Sequence, residues 1–174
     1  MMATGRQESV SIETAAENLI NYAFEREGLK LVLSMLPVDG TVNRVPVEYE
    51  IQLLKIITVG WSINYFMEER LEKEGLAQSF WNGVQLFSKN LNEMTSLTVG
   101  QDIDYFETVR QRMESYVGAM NSRPDIKDPA AAFGPAFAEL AGHGENVHVI
   151  MAGNRIFNSA LAAVREYLAD IEFE

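Results

Sequence analysis

The longest apolar stretch of the chain lies between Pro46 and Glu74. Its middle, from Ile56 to Met67, carries no charged side chain. Helical spacing aligns four of its polar residues on one narrow stripe, namely Gln52, Lys55, Thr58 and Ser62. A helix with apolar side chains on most of its circumference is normally surrounded by other helices. The pattern therefore predicts a long central helix over about 46–74, enclosed in an all-α bundle.

The start of this stretch has a second interpretation. Val45, Val47, Tyr49 and Ile51 alternate with other residues as in a strand, and Asp39-Gly40 before them is a turn signal. A short β-hairpin near 38–51 is therefore the alternative. We favour the helix, because the residues after Ile51 stay apolar for longer than a typical strand of about five or six residues. Pro46 also suits the first helical position.

Residues before the central helix predict a shorter amphipathic helix. Ser11 suits its N-cap, and apolar residues recur at helical spacing from Ile12 to Phe24. Gly28 is its expected end. The apolar residues 29–36 either continue it or form a second short segment, and Pro37 stops both.

Two heptad seams follow Gly75, which we expect to separate the central helix from the next one. The seams are Phe80, Val84, Phe87, Leu91 and Met94, and then Phe106, Val109, Met113, Tyr116 or Val117, and Met120. Residues 95–101 are expected to form a break, with Asp102 as the second N-cap. Matching heptads on neighbouring helices are most simply an antiparallel pair.

The last third of the chain predicts a divided helix and then a long one. Pro135 is expected to divide the segment after Pro129 into two short helices. The final helix is expected from about Asn146 to Ile171, with Asn154 interrupting its apolar seam. Small residues beside that seam permit close helix approach, within the chain or across a dimer. We therefore predict one all-α domain over 1–174 with five or six main helices, and loose ends at 1–8 and 172–174.

Composition narrows the classes of partner. The net charge of −11 disfavours nucleic acid and anionic membrane surfaces, since such binders need clustered Lys and Arg. The uncharged run from Ile56 to Met67 is too short to span a bilayer, which takes roughly 20 residues. The chain has no cysteine, which removes disulfides and thiolate chemistry. Without a signal-peptide pattern near Met1, we expect a cytoplasmic protein.

The main candidate for metal chemistry is a Glu-x-x-His pair, since the acid pair Asp102 and Asp104 is explained by the start of a helix. Glu145 and His148 have the spacing that places both side chains on one helix face in di-iron bundles. A complete site needs a second such pair, which the sequence lacks, so we expect no cofactor, with iron or another divalent metal as the minor alternative. No nucleophile elbow, P-loop or dinucleotide-binding glycine motif occurs either. The sequence therefore leans against an enzyme.

Two asparagines stand among apolar residues and indicate where a pocket would open. Asn64 lies on the central helix and Asn154 on the last one, and a buried amide must be hydrogen-bonded. They either pair within the core or line a ligand pocket beside the central helix together with Trp61, Tyr65 and Trp81. An apolar pocket with a few polar groups is typical of small-molecule sites.

Two functional hypotheses follow. The first is a non-catalytic α-helical protein that acts by protein–protein association, as a homodimer or as an acidic binder of a partner. It rests on the heptad seams, the small-residue last helix and the missing catalytic motifs. The alternative is a bundle that binds a small ligand or a metal, with its pocket beside the central helix.

Overall fold

The structure is a computed structural model that describes residues 8–99 and 104–174, with the backbone alone over 94–99. The described chain forms two short strands and seven helices. In chain order these are β1 (Glu8–Val10), α1 (Ile12–Phe24), α2 (Glu27–Ser34), α3 (Arg44–Phe66), α4 (Lys73–Val99), α5 (Tyr105–Asn121), α6 (Ala130–Leu140), α7 (Val147–Asp170) and β2 (Ile171–Phe173). The predicted all-α bundle is confirmed.

Helix α3 is the centre of the bundle. It contacts each of the six other described helices. Every residue from Leu53 to Gly60 is buried, which is more than two full turns of helix with no solvent-facing side. The predicted apolar helix is therefore enclosed on all sides by its own chain.

The polar stripe of α3 is satisfied inside the protein. Gln52 Nε2 donates to the Ala23 carbonyl at 2.8 Å, and Lys55 Nζ donates to the Glu25 carbonyl at 2.8 Å. Thr58 and Ser62 donate to carbonyls four residues earlier in their own helix. Buried polar groups must find such partners. Gln52 and Lys55 therefore hold α3 against the end of α1.

The β-hairpin suggested near 38–51 is absent, because α3 already begins at Arg44. Asn43 caps this helix, and its side-chain oxygen accepts from Val45 N at 3.2 Å. Pro46 lies in the first turn, where its missing N–H has no helical partner to lose. The alternating residues fall on two sides of the helix, since Val47 and Ile51 are buried whereas Val45 and Tyr49 are exposed.

The central helix is shorter than predicted. It ends at Phe66 rather than near Glu74, and α4 begins at Lys73. Met67 leaves the helix with its side chain fully buried, and Arg70 N bonds the Met67 carbonyl at 3.0 Å to form a turn. Gly75 does not separate the helices but lies in the first turn of α4, where a Cβ would be 3.2 Å from Ile12 Cδ1.

Other boundaries were also predicted incorrectly. The first helix ends at Phe24, and Gly28 lies inside α2, so residues 29–36 belong mostly to a separate short helix. Helix α4 continues to Val99 instead of breaking at residue 95. The predicted cap Asp102 lies outside the described residues. The N-cap of α5 is Asp104, whose side chain accepts from Glu107 N at 2.9 Å.

Pro135 does not divide the segment after Pro129, because α6 is one helix from Ala130 to Leu140. Helices α6 and α7 lie close together at two glycines. A Cβ on Gly153 would be 2.5 Å from Phe137 Cδ1, and a Cβ on Gly134 would be 2.1 Å from Asn154 Oδ1. Part of the small-residue face of α7 is therefore occupied within the chain.

The two strands form a small parallel sheet. Glu8 pairs with Ile171, Ser9 with Glu172 and Val10 with Phe173. The expectation of loose ends was thus wrong for Glu8 and for 172–173, while residues 1–7 lie outside the described chain. Val10 and Ile171 are buried against the bundle, which explains why such short strands persist. No described helix is long and apolar enough to cross a membrane.

Candidate functional site

The aromatic residues predicted to line a pocket beside α3 do come together. Trp61, Asn64 and Trp81 line one cleft of about 80 Å³. Tyr65 stacks on Trp61 with ring centroids 4.9 Å apart and is itself 57% exposed. The glycine at position 60 makes room for the Trp81 ring, since a Cβ there would be 2.2 Å from it. The cleft is far smaller than the roughly 300–1,000 Å³ typical of small-molecule pockets.

Asn64 and Asn154 lie in different parts of the molecule. Asn64 is exposed, and its amide reaches only the Gly60 carbonyl of its own helix, at 3.5 Å. Asn154 packs against Gly134, and its Oδ1 is buried without a hydrogen-bond partner among the described residues. Asn154 also lines a second, larger depression that the sequence did not indicate.

The predicted metal pair lies at the start of α7. Glu145 belongs to the turn before the helix, and His148 is its second residue; both side chains are exposed. Asn146 caps the helix and accepts from His148 N at 3.0 Å. Within 8–99 and 104–174, no group of three or more His, Asp or Glu residues could hold a metal ion.

The larger depression is a groove between α2 and α7 with a volume of about 470 Å³. We call it the α2/α7 groove. Its lining is Val32, Met35, Leu36, His148, Met151, Ala152, Asn154, Arg155 and Asn158. One wall is formed by Val32 of α2 and by Met35 and Leu36 immediately after it, and the other is one face of α7. Its volume falls within the range of about 300–1,000 Å³ that is typical of small-molecule pockets.

Exposed apolar side chains are concentrated around this groove. Twelve large hydrophobic side chains are exposed in the described chain, and five of them belong to α2, the turn after it and the first turns of α7. The five are Leu31, Met35, Val38, Val147 and Met151, which are between 44% and 90% exposed. Exposed apolar patches of this kind mark interaction surfaces. Methionine, with its flexible and polarisable side chain, is common on such surfaces.

The charged groups of the groove are basic. The Arg155 guanidinium contacts the Met35 sulfur, and no described Asp or Glu lies within ion-pair distance of it. His148 is close enough to Asp39 to help lower the pKa of that exposed carboxyl, although hydrogen bonds from Thr41 are the larger cause. The groove thus joins apolar walls to an unpaired cation.

A smaller cleft of about 130 Å³ adjoins the groove and shares Val32 and Arg155 with it. Lys55 lines this cleft, and burial lowers its pKa while the hydrogen bond to Glu25 acts in the opposite direction. The amine also lies 4.3 Å from the centre of the Tyr22 ring. Because its carboxylate, carbonyl and ring contacts already hold the ammonium, Lys55 has a structural role in joining α1 to α3.

The most buried ion pair lies on the other side of α3. Arg112 binds both carboxylate oxygens of Glu50, at 2.7 and 2.8 Å, and the Glu50 side chain is 4% exposed. Desolvation raises the pKa of the neighbouring Tyr105 and Tyr116 hydroxyls. Both carboxylate oxygens accept hydrogen bonds from the guanidinium, and the Glu50 side chain is buried, so this ion pair joins α3 to α5.

Comparisons with known proteins add no assignment: no family model, curated protein or solved structure matches this chain. The site must therefore be judged from its own geometry. Sequence reasoning singled out His148 and Asn154 but missed the groove around them. The sequence signal that indicates it is the spacing of four residues between Leu31 and Met35 and between Val147 and Met151, and the structure shows that all four are exposed.

Proposed function

We propose that the protein acts by binding another protein through the α2/α7 groove. The observation that supports this is the pair of exposed apolar side chains in the groove, Met35 on one wall and Met151 on the other, with further exposed apolar residues in the adjoining segments. Leaving such side chains in water costs free energy that a partner would recover, at about 25 cal/mol for each Å² covered. Association rather than catalysis suits a surface with no nucleophile held by a base.

This proposal changes the basis for a homodimer. The small face of α7 was the sequence argument for one, and Gly153 on that face packs against Phe137 of the same chain. A second copy of the chain would therefore bind at the groove and not at the small face of α7. Light scattering over a range of concentrations distinguishes self-association from binding to a different protein.

Site-specific photo-crosslinking tests the proposal. The photoreactive residue p-benzoylphenylalanine replaces Met151, which is 62% exposed in the groove, or Leu86, which is 64% exposed on α4 away from it. Crosslinking in the source cells should give a discrete adduct from position 151 and none of the same mass from position 86. The additional substitution Met35→Glu should abolish that adduct by placing a charge on the apolar wall.

Identical adducts from both positions, or none from position 151, would contradict association through this groove. Circular dichroism and thermal unfolding must first show that each variant folds. The exposure of Met35, Met151 and Leu86 makes large stability losses unexpected, since surface substitutions usually change stability by less than about 0.5 kcal/mol.

Small-ligand binding is the second candidate function. The groove is a better site for a small ligand than the cleft beside α3. A volume of about 470 Å³ falls within the range of small-molecule pockets, whereas about 80 Å³ does not. Native mass spectrometry of untagged protein tests this candidate. A co-purified molecule that is lost on Met151→Glu would support it.

A further inference from the structure

The groove has the length of a short helix. Its lining on α7 recurs at positions 148, 151, 152, 154, 155 and 158, which is one broad face of the helix. Ten residues separate His148 from Asn158, and at 1.5 Å per residue this is about 15 Å. The opposite wall is shorter, because only Val32 of α2 and Met35 and Leu36 just after it line the groove, which is about 6 Å of helix rise. A helix laid along the α7 face would place two to three turns in contact with α7 and about one turn in contact with the opposite wall.

Arg155 lies in the groove and favours a partner with a negatively charged side chain. Arg155 is exposed and has no carboxylate partner among the described residues, in a chain with 25 acidic and 14 basic residues. Three other arginines, Arg26, Arg110 and Arg112, are each paired with a glutamate. The groove lining contains no acidic residue. Glu25 lines the adjoining cleft together with Arg155, but its carboxylate is paired with Lys55, so a partner carboxylate would meet a cation that has no ion pair among the described residues.

We propose that the α2/α7 groove binds an amphipathic helix of another protein, and that one Asp or Glu on this helix pairs with Arg155. The inference rests on the proposed function and adds the chemistry of the partner. Apolar residues of the partner at i, i+3 or i+4, and i+7 fill the groove beside Met35 and Met151, as in other helix-in-groove complexes. The carboxylate lies at the edge of that apolar stripe.

The net charge of −11 opposes an acidic partner at long range. At 0.15 M salt this repulsion is screened beyond about 8 Å. A carboxylate in direct contact with the guanidinium is much closer than this distance. Local pairing therefore decides which residue the partner places at Arg155, while the overall charge mainly affects the rate of association.

The experiment selects binders from a displayed library of amphipathic helical peptides. The full-length protein is the target, and Met151→Glu protein removes peptides that bind elsewhere. The library varies the positions flanking an apolar i, i+3, i+4, i+7 stripe over acidic, neutral and basic residues. We expect the retained peptides to carry Asp or Glu at one flanking position. Fluorescence anisotropy at 0.15 M salt then measures the affinity of the best peptide.

A double-mutant cycle assigns the carboxylate to its partner. Arg155→Gln should lower the affinity for the peptide about tenfold. Replacing the acidic residue of the peptide by Gln should cause no further loss of affinity in that variant. Arg155→Glu combined with a basic residue in the peptide should restore binding. Arg165→Gln is the matched control, because Arg165 is an exposed arginine of α7 outside the groove lining, and it should leave the affinity unchanged.

Each other outcome overturns the inference. If the retained helical peptides show no preference for Asp or Glu, the proposed ion pair with Arg155 is wrong, while the proposed function is unaffected. If the retained peptides lack the helical spacing, or if no retained peptide depends on Met151, the proposal of a helical partner is wrong. A Met151-dependent dimer in light scattering would identify a second copy as the occupant. The crosslinking result at position 151 judges the proposed function separately in every case.

Discussion

The contact between α6 and α7 makes a sharp prediction about Gly153→Ala. A Cβ at this position would lie 2.5, 2.8 and 3.0 Å from the Cδ1, Cγ and Cβ atoms of Phe137. Carbon atoms in contact normally stay about 3.5–4.0 Å apart, so part of α6 must move by about 1 Å. Phe137 is 0% exposed, which leaves its ring no solvent to turn into.

Two opposing terms set the size of the effect. Alanine is better than glycine inside a helix by about 1 kcal/mol. Overfilling a packed interior typically costs about 1–3 kcal/mol, and an ordered, fully buried neighbour places this case at the upper end. We therefore expect Gly153→Ala to lower the free energy of unfolding by about 1–2 kcal/mol.

Gly118→Ala is the matched control. Gly118 lies in α5, and a Cβ there would meet no atom within 4 Å. The helical gain remains without the clash, so this variant should be more stable by about 0.5–1 kcal/mol. Urea unfolding measures both values, and each kcal/mol corresponds to about 2–4 °C in Tm for a chain of this size. A Gly153→Ala protein as stable as the wild type would refute the close packing of α6 on α7.

Three further predictions concern buried polar groups. Tyr116→Phe should leave stability unchanged or raise it by up to about 1 kcal/mol in urea titrations, because the buried hydroxyl has no hydrogen-bond partner among the described residues; a loss above 1 kcal/mol would reveal a bond to it. Glu25→Gln should cost about 1–2 kcal/mol at pH 7 by leaving the buried Lys55 ammonium without its carboxylate, a value reduced because Glu25 is partly solvated. Burial lowers the pKa of Lys55 in the folded state, so its proton is lost there first as the pH rises, and the cost of Glu25→Gln should shrink toward pH 10; a constant cost would be evidence against this account. Burial also raises the pKa of Tyr105 and Tyr116 above the usual value of about 10, so the unfolded chain loses these protons first and stability should fall as the pH rises through 10. Ultraviolet absorbance should then show their ionisation only together with unfolding, and ionisation in the folded protein would contradict their burial.

The all-α architecture and the central helix could be predicted because they depend on local periodicity. Residues 53–60 of α3 are apolar on nearly every side, and only an enclosed helix suits them. The same applies to the predicted N-cap Ser11, whose side chain accepts from Thr14 N, and to the start of the last helix, expected from about Asn146 and found at Val147.

The errors arose where tertiary contacts override local preference. Nothing in the charged sequence after Phe66 forbids further helix, and the helix ends because Met67 turns into the core. Three-residue strands such as β1 carry too little pattern to predict, and their partner is distant in the chain. The α2/α7 groove likewise depends on how two separate helices lie side by side, which periodicity within either one does not specify.

The parallel pairing of β1 with β2 has a mechanical consequence. Because the strands run in the same direction, Glu8 leaves one end of the pair while Phe173 and Glu174 leave the other. A force that pulls these two ends apart loads the bonds between the strands together, in shear, and not one after another as in unzipping. Glu174 N adds a further bond to the Val10 carbonyl at 3.2 Å. The hydrogen bonds between β1 and β2 must therefore break together before the force reaches the helices.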